Sequence, residues 1–205
     1  MSEYSEYIWA RLYNAIGNEY GTAGLMGNLQ AESGLIPYRL QGDFTQGYTK
    51  SISYTNRVNS GILSRYDFSH DSKGYGLAQW TYYSRKENYY DFMQSYSSIG
   101  DVAGAVSFLI QELQTSYPSV WYTLQSTTDI RTASNTVLHD FENPAEQGPD
   151  VEDYREGLGI AIYNEYATGG DVPIPVPTEP PTPTLPGWMY GAVSDLMRRK
   201  VIYRH

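Results

Sequence analysis

The chain has 205 residues, a formal net charge of −9, no cysteine, three histidines and 21 tyrosines. Its length suits one domain with a hydrophobic core and a short appendage. The missing cysteines exclude disulfide scaffolds, cysteine-ligated zinc and thiol nucleophiles. The scattered histidines argue against a metal site, and no cofactor is expected. The acidic charge argues against a nucleic-acid partner.

The first part of the chain predicts two helices and an irregular segment. Apolar residues recur at helical spacing in residues 4–20, and Gly21 is expected to end this helix. Thr22 is expected to cap a second helix that ends at Gly34. Residues 38–82 lose the helical period and are rich in glycine, serine, threonine, asparagine and tyrosine. They predict loops and short hairpins.

The second part of the chain predicts five more helices. They are expected at residues 84–96, from Asp101 to about residue 113, and at 118–125, 129–141 and 151–166. Ser84 and Glu87 have the spacing of a capping box, and the last helix is expected to face the core with Tyr154, Leu158 and Ile162. The predicted fold class is therefore α+β, mostly α, with one small irregular β-lobe.

Both ends of the chain carry expectations about organisation. The first residues lack the pattern of a signal peptide, and no apolar run approaches the roughly 18 residues of a membrane span, so synthesis in a cytoplasm is expected. Residues 171–186 hold seven of the eleven prolines and predict a stiff linker after a domain of residues 1–170. Residues 187–205 are basic and aromatic, which fits a surface-binding helix, the start of a further module or a weakly ordered end.

Glu32 is the candidate general acid. It follows Leu25 by seven residues and Leu29 by three, which places it on the apolar face of the second helix and in its last turn. Partial burial and the negative end of the helix dipole both favour a protonated carboxyl, as a general acid requires at neutral pH. The alternative is a helix-end glutamate that turns out to water.

A glycine-rich motif follows at residues 73–81, Lys-Gly-Tyr-Gly-Leu-Ala-Gln-Trp-Thr. Its two glycines permit close backbone approach, but Gln79 stands where a phosphate-binding loop would have its last glycine. Taken alone, the motif predicts an ordinary turn that leads into a buried Trp80.

The two motifs together resemble the phage tail lysozyme family, whose members are peptidoglycan-cleaving domains of phage tails and lysins. The matching residues are Asn-Leu-Gln-Ala-Glu-Ser-Gly-Leu-Ile-Pro at 28–37 and Gly-Tyr-Gly-Leu-Ala-Gln-Trp at 74–80, within a resemblance over about residues 5–167. The Glu-Ser pair is also similar to goose-type lysozymes and lytic transglycosylases. The resemblance implies a lysozyme-like helical bundle with a substrate cleft, Glu32 as the general acid, action on the bacterial cell wall, and other phage tail or lysin modules as partners.

The second catalytic group stays open. Asp43, Asp67 and Asp71 lie in the irregular segment and could act as nucleophile or base. Asp71 is preferred because it adjoins the glycine-rich motif, although a turn-capping role also explains it. A second carboxylate can also be absent, as in the lytic transglycosylases, in which one glutamate acts as acid and then as base while the 6-hydroxyl of the substrate attacks.

The resemblance also implies substrate-binding residues. Tyr75 and Gln79 are expected in the cleft, and Ser33 is expected to support Glu32 through a hydrogen bond. The stretch 140–156 contains seven acids and one base and predicts a solvated face, with Glu142 near the cleft as the alternative interpretation.

Three functions remain open: a lysozyme-type glycosidase, a lytic transglycosylase of the same fold, and a glycan-binding tail-tip protein without activity. A peptidase or amidase is disfavoured because the cysteine and zinc routes are missing. The many tyrosines suit a carbohydrate cleft, since tyrosine combines a flat apolar body with a polar tip.

Overall fold

The computed structural model describes residues 2–167, and these residues are mostly helical. The helices are α1 (Ser5–Ile16), α2 (Glu19–Ser33), α3 (Thr49–Asn59), α4 (Arg65–Ser69), α5 (Tyr83–Met93), α6 (Val102–Ser116), α7 (Pro118–Ser126), α8 (Ile130–Val137) and α9 (Pro149–Tyr166). A 3₁₀ turn covers Gln46–Tyr48, and a π-helical turn over Leu138–Glu142 continues α8. Within the described residues, no helix is long and apolar enough to cross a membrane. The expected linker at 171–186 and tail at 187–205 lie outside them.

Helix α2 begins earlier than its sequence predicts. The side chain of Asn18 accepts hydrogen bonds from the backbone N–H groups of Tyr20 and Gly21, so Asn18 and not Thr22 is the N-cap. Helix α1 ends before it, at Gly17 with φ of 73°. The prediction that Gly21 stops a helix is therefore wrong, whereas the predicted end of α2 at Gly34 is confirmed.

Gly21 serves close packing instead. Gly21, Gly24 and Gly27 recur every three residues in α2 and face α7, α8 and α9. A Cβ atom on Gly21 would lie 1.8 Å from the carbonyl oxygen of Leu124, and one on Gly27 would lie 2.6 Å from that of Arg155. Because the opposite face of α2 is apolar and buried, residues 21–29 of this helix are enclosed on all sides and lie at the centre of the bundle.

The irregular segment is more helical than its composition predicts. Residues 38–82 contain α3 and α4, and β-structure is limited there to two isolated antiparallel bridges, Leu40 with Tyr75 and Tyr75 with Trp80. The expected small β-lobe is not present as a lobe of strands. Composition misses α3 because its buried face is largely polar or aromatic: Ser51, Tyr54, Thr55 and Val58.

The later helices follow the predicted order, with differences at their ends. Asp101 caps α6 as predicted, accepting a hydrogen bond from the backbone of Gly104. The predicted capping box of Ser84 does not form, because α5 begins at Tyr83 without a side-chain cap. A capping box occurs instead at α4, where the Ser64 hydroxyl and the Asp67 carboxylate exchange hydrogen bonds with each other's backbone.

Candidate active site

Glu32 lies at the carboxyl end of α2 and is held by Arg155 of α9. The side chain of Glu32 is 20% exposed and that of Arg155 is 8% exposed. Nη2 of Arg155 donates to Oε1 of Glu32, and Nη1 donates to Oδ1 of Asn28 at 2.9 Å. Asn28 in turn donates to the backbone and the hydroxyl of Ser134 at 3.1 Å. This chain of hydrogen bonds fixes the Glu32 carboxyl while leaving part of it open to solvent.

Arg155 adds an attraction that the sequence argument left out. Arg155 was missed because the last helix was expected to face the core with Tyr154. The structure leaves Tyr154 exposed and buries Arg155, Gly159 and Ile162. Two signals could have identified Arg155: helical spacing with Gly159 and Ile162, and its place as the one base of an acidic stretch.

A second carboxyl, that of Glu142, lies near Glu32. Glu142 ends the π-helical turn and is half-buried as a residue, but its Oε1 is inaccessible to solvent and has no hydrogen-bond partner among the described residues. Burial raises the pKa of Glu142 well above its usual range. Repulsion from Glu32 and Glu112 raises it further, and Arg85 and Arg155 oppose these effects. A role for Glu142 as a supporting carboxylate near the cleft stays a prediction.

Arg85 and Glu112, which both affect the pKa of Glu142, form an ion pair with each other. Arg85 donates two hydrogen bonds to Glu112, at 2.8 and 2.9 Å, and the indole N–H of Trp80 donates to the same carboxylate at 2.8 Å. The guanidinium also lies 4.7 Å from the centre of the Phe141 ring. Trp80 is therefore a packing residue, as expected, and Glu112 is fully engaged.

Asp71, the preferred second carboxylate, is held by structural contacts. Its Oδ1 accepts from Nζ of Lys86 at 2.6 Å and from the backbone of Lys73 at 3.0 Å, and its Oδ2 accepts from the hydroxyl of Tyr54. Lys86 is completely buried, and burial lowers its pKa although Asp71 opposes this. Asp71 thus compensates a buried cation, and its catalytic role stays a prediction.

Asp43 and Asp67 also have structural partners. Asp43 is buried, which disfavours its charge, but hydrogen bonds from Thr45 and Ser51 outweigh burial and hold its pKa well below the usual range. Asp67 forms the capping box of α4. All three aspartates that the sequence offered as a nucleophile or base are therefore used by the local fold.

The expected substrate-binding residues differ in accessibility. Tyr75 is fully buried, and its hydroxyl forms a 2.6 Å hydrogen bond with Thr55, so that a sugar contact would require the core to open. Ser33 is also buried, and its hydroxyl donates to the backbone of Leu29 and not to Glu32. A substrate-binding role for either residue stays a prediction.

Gln79 is partly accessible to solvent and has an uncommon backbone conformation. Its φ is 46°, a left-handed conformation that is uncommon for residues other than glycine and that often occurs at functional sites. Its side chain donates to the carbonyl groups of Arg39 at 3.1 Å and Gly76 at 3.0 Å, which stabilises the turn. Of the three expected substrate-binding residues, Gln79 is the one that the structure leaves partly open.

Comparison with known proteins gives one family match. The family model described as phage tail lysozyme matches residues 3–166. No curated protein and no solved structure gives a significant match. The helical architecture is consistent with a lysozyme-like fold. The chain therefore belongs to the phage tail lysozyme family, which indicates a lysozyme-like activity on the peptidoglycan of the bacterial cell wall.

Proposed function

We propose that this protein is a glycosidase that cleaves the β-1,4 glycan strand of peptidoglycan, with Glu32 as the general acid. The observation that carries the proposal is the setting of Glu32. This carboxyl is partly buried, partly open to solvent, and fixed from behind by an arginine that is itself fixed by Asn28. A general acid needs such positioning, because proton transfer requires the donor within hydrogen-bond reach of the leaving oxygen.

In the proposed reaction, the protonated Glu32 carboxyl donates its proton to the glycosidic oxygen as the bond from that oxygen to C1 breaks. The positive charge that develops at C1 is then quenched by an attacking oxygen. If water attacks, its proton passes to the Glu32 carboxylate, which restores the acid and leaves a new reducing end.

Transglycosylation is the second candidate function. It is favoured by the observation that all three candidate aspartates have structural hydrogen-bond partners. A retaining hydrolase of the usual kind needs a second carboxylate opposite the acid. Asp43, Asp67 and Asp71 already accept hydrogen bonds from their own surroundings. With one glutamate as acid and then base, the 6-hydroxyl of the same sugar can attack C1 and give a 1,6-anhydro end.

Mass spectrometry of digested peptidoglycan tests the proposal. Either hydrolysis or transglycosylation should produce glycan fragments with intact stem peptides, with reducing ends in the first case and 1,6-anhydro ends in the second. New amino termini without glycan cleavage would show a peptidase or amidase and contradict the proposal. Binding of the protein to peptidoglycan without any fragments would favour the glycan-binding protein without activity.

A further inference from the structure

We propose that Arg39, together with the rings of Tyr48 and Phe44, forms a binding site for a carboxylate of the peptidoglycan stem peptide. The inference rests on the proposed function only in taking peptidoglycan as the substrate. It extends that function by giving the protein a preference for glycan strands that still carry their peptides.

The guanidinium of Arg39 is held by aromatic rings and not by an acid. Its central carbon lies 4.5 Å from the centre of the Tyr48 ring and 6.0 Å from that of the Phe44 ring. Among the described residues, no carboxylate forms an ion pair with Arg39 and no atom accepts a hydrogen bond from its guanidinium. Aromatic rings contact the face of a guanidinium, whereas its N–H groups point outward in its plane. The edge of the Arg39 guanidinium is therefore open to a ligand.

The loop that carries Phe44 is fixed on both sides of this residue. The Asp43 carboxylate accepts hydrogen bonds from the backbone of Thr45 at 2.9 Å and from the backbone and the hydroxyl of Ser51, both at 2.7 Å. The Phe44 side chain in this fixed loop is 90% exposed. An exposed ring on a rigid loop loses little conformational freedom when it binds, and aromatic rings beside arginine are common in binding hot spots. Phe44 therefore suits an apolar group next to the carboxylate, such as the methyl group of an alanine.

Arg39 is also tied to the glycine-rich motif. Its carbonyl oxygen accepts hydrogen bonds from the side chain of Gln79 at 3.1 Å and from the backbone of Gly76 at 2.9 Å. Arg39 follows Glu32 by seven residues. Their Cα atoms therefore lie within about 25 Å of each other, which is the greatest length of such a segment. A glycan strand that is bound at Glu32 can thus bring one of its peptides to Arg39.

The charge of the surrounding segment favours an anionic ligand. Residues 38–82 contain five bases and three acids, whereas the other described residues contain five bases and seventeen acids. The three acids, Asp43, Asp67 and Asp71, already accept hydrogen bonds from their own surroundings. This segment is therefore the part of an acidic domain that attracts anions. The stem peptides of peptidoglycan supply carboxylates, whereas its N-acetylated sugar rings are uncharged.

Binding to insoluble peptidoglycan tests the site, in a Glu32→Gln protein so that cleavage does not interfere. The peptidoglycan is first freed of teichoic acid, which leaves carboxylates as its main anions. Adding Arg39→Gln should weaken binding about tenfold, as expected for the loss of a charge-assisted hydrogen bond. The control is Arg57→Gln, which removes the same charge from an exposed position at the other end of α3 from Tyr48 and should leave binding unchanged. Equal binding with and without Arg39→Gln would overturn the proposal.

A second measurement changes the ligand and leaves the protein unchanged. When the carboxyl groups of the peptidoglycan are converted to amides, the Glu32→Gln protein should lose the same factor in binding, and adding Arg39→Gln should cause no further loss. Unchanged binding to the amidated peptidoglycan would refute the site. An effect of Arg39→Gln that appears only on walls with teichoic acid would indicate a phosphate ligand and also refute it. Absence of glycan cleavage by the wild type, with the effect of Arg39→Gln intact, would refute the proposed glycosidase and support the site.

Discussion

Gly27 of α2 and Gly159 of α9 lie against each other with no side chain between them. A Cβ atom on Gly27 would stand 2.7 Å from the backbone nitrogen of Gly159, closer than real Cβ contacts allow. This close approach of the two helices brings Arg155, one turn before Gly159, over Asn28 and Glu32. The geometry of the candidate active site therefore depends on the absence of side chains in α2.

Replacing Gly27 with alanine should damage both stability and activity. Alanine is the better helix former, but its methyl group would collide with the backbone of α9, so a loss of about 1–3 kcal/mol is expected in urea unfolding. Activity on peptidoglycan should fall as well, because α9 carries Arg155. The matched control is Gly157→Ala, where a Cβ atom would meet no atom within 4 Å, and which should stabilise the fold by up to about 1 kcal/mol. Equal effects of the two variants would refute this dependence on close packing.

Removing the guanidinium of Arg155 should lower the free energy of unfolding. Arg155→Met leaves Glu32 and Asn28 without their donor, and a loss of about 2 kcal/mol is expected in urea unfolding. The control is Arg131→Met, since Arg131 is 42% exposed and its ion pairs lie at the surface. That variant should lose less than about 1 kcal/mol and keep its activity. A stable and fully active Arg155→Met would show that the ion pair does not position Glu32.

The predictions from sequence succeeded where one helix decides its own structure. Asp101 caps α6 through a backbone group three residues away, and Gly34 ends α2 with a φ of 67°. These features follow from local chemistry, so the local sequence is sufficient to identify them. Glu32 was placed correctly at the end of its helix for the same reason.

The predictions failed where a distant part of the chain decides. The local sequence predicts that Gly21 ends a helix, but Gly21 packs against α7, a helix that lies far away in the sequence. Arg155 and Glu32 are separated by 123 residues, and nothing local to either shows that they meet. The shift of the inward face of α9 from Tyr154 to Arg155 has the same origin, because α2 supplies the partners that make a buried arginine stable.

His139 should make the fold less stable at alkaline pH. Its hydrogen bonds to Gln147 and Glu152 raise its pKa above 6.5. The folded state therefore holds this proton more tightly than the unfolded chain. The stabilisation is complete below about pH 6.5 and is lost as the pH rises through the raised value. The urea midpoints of the wild type and His139→Gln should differ more at about pH 5.5 than at about pH 8.5. An equal difference at both pH values would contradict this prediction.

Four exposed rings form a row on the surface beside the glycine-rich motif. The centres of the Tyr66 and His70 rings lie 4.0 Å apart, those of His70 and Tyr83 5.4 Å, and those of Tyr83 and Tyr82 4.8 Å. If sugars contact this row, Tyr82→Ala should weaken binding to insoluble peptidoglycan about fivefold, for a contact of about 1 kcal/mol. The control is Tyr122→Ala, an equally exposed tyrosine in α7. An equal loss in both variants would show that the row has no special role.

The most direct test of the central claim is the activity of Glu32→Gln. Glutamine can still accept the hydrogen bond from Arg155 but cannot donate the proton, so the fold and peptidoglycan binding should remain while glycan cleavage falls at least about a hundredfold. Glu19→Gln, at the opposite end of α2, is the control and should retain wild-type cleavage. The measurement is the release of glycan fragments by mass spectrometry. Release at the wild-type rate by a folded Glu32→Gln would contradict Glu32 as the general acid.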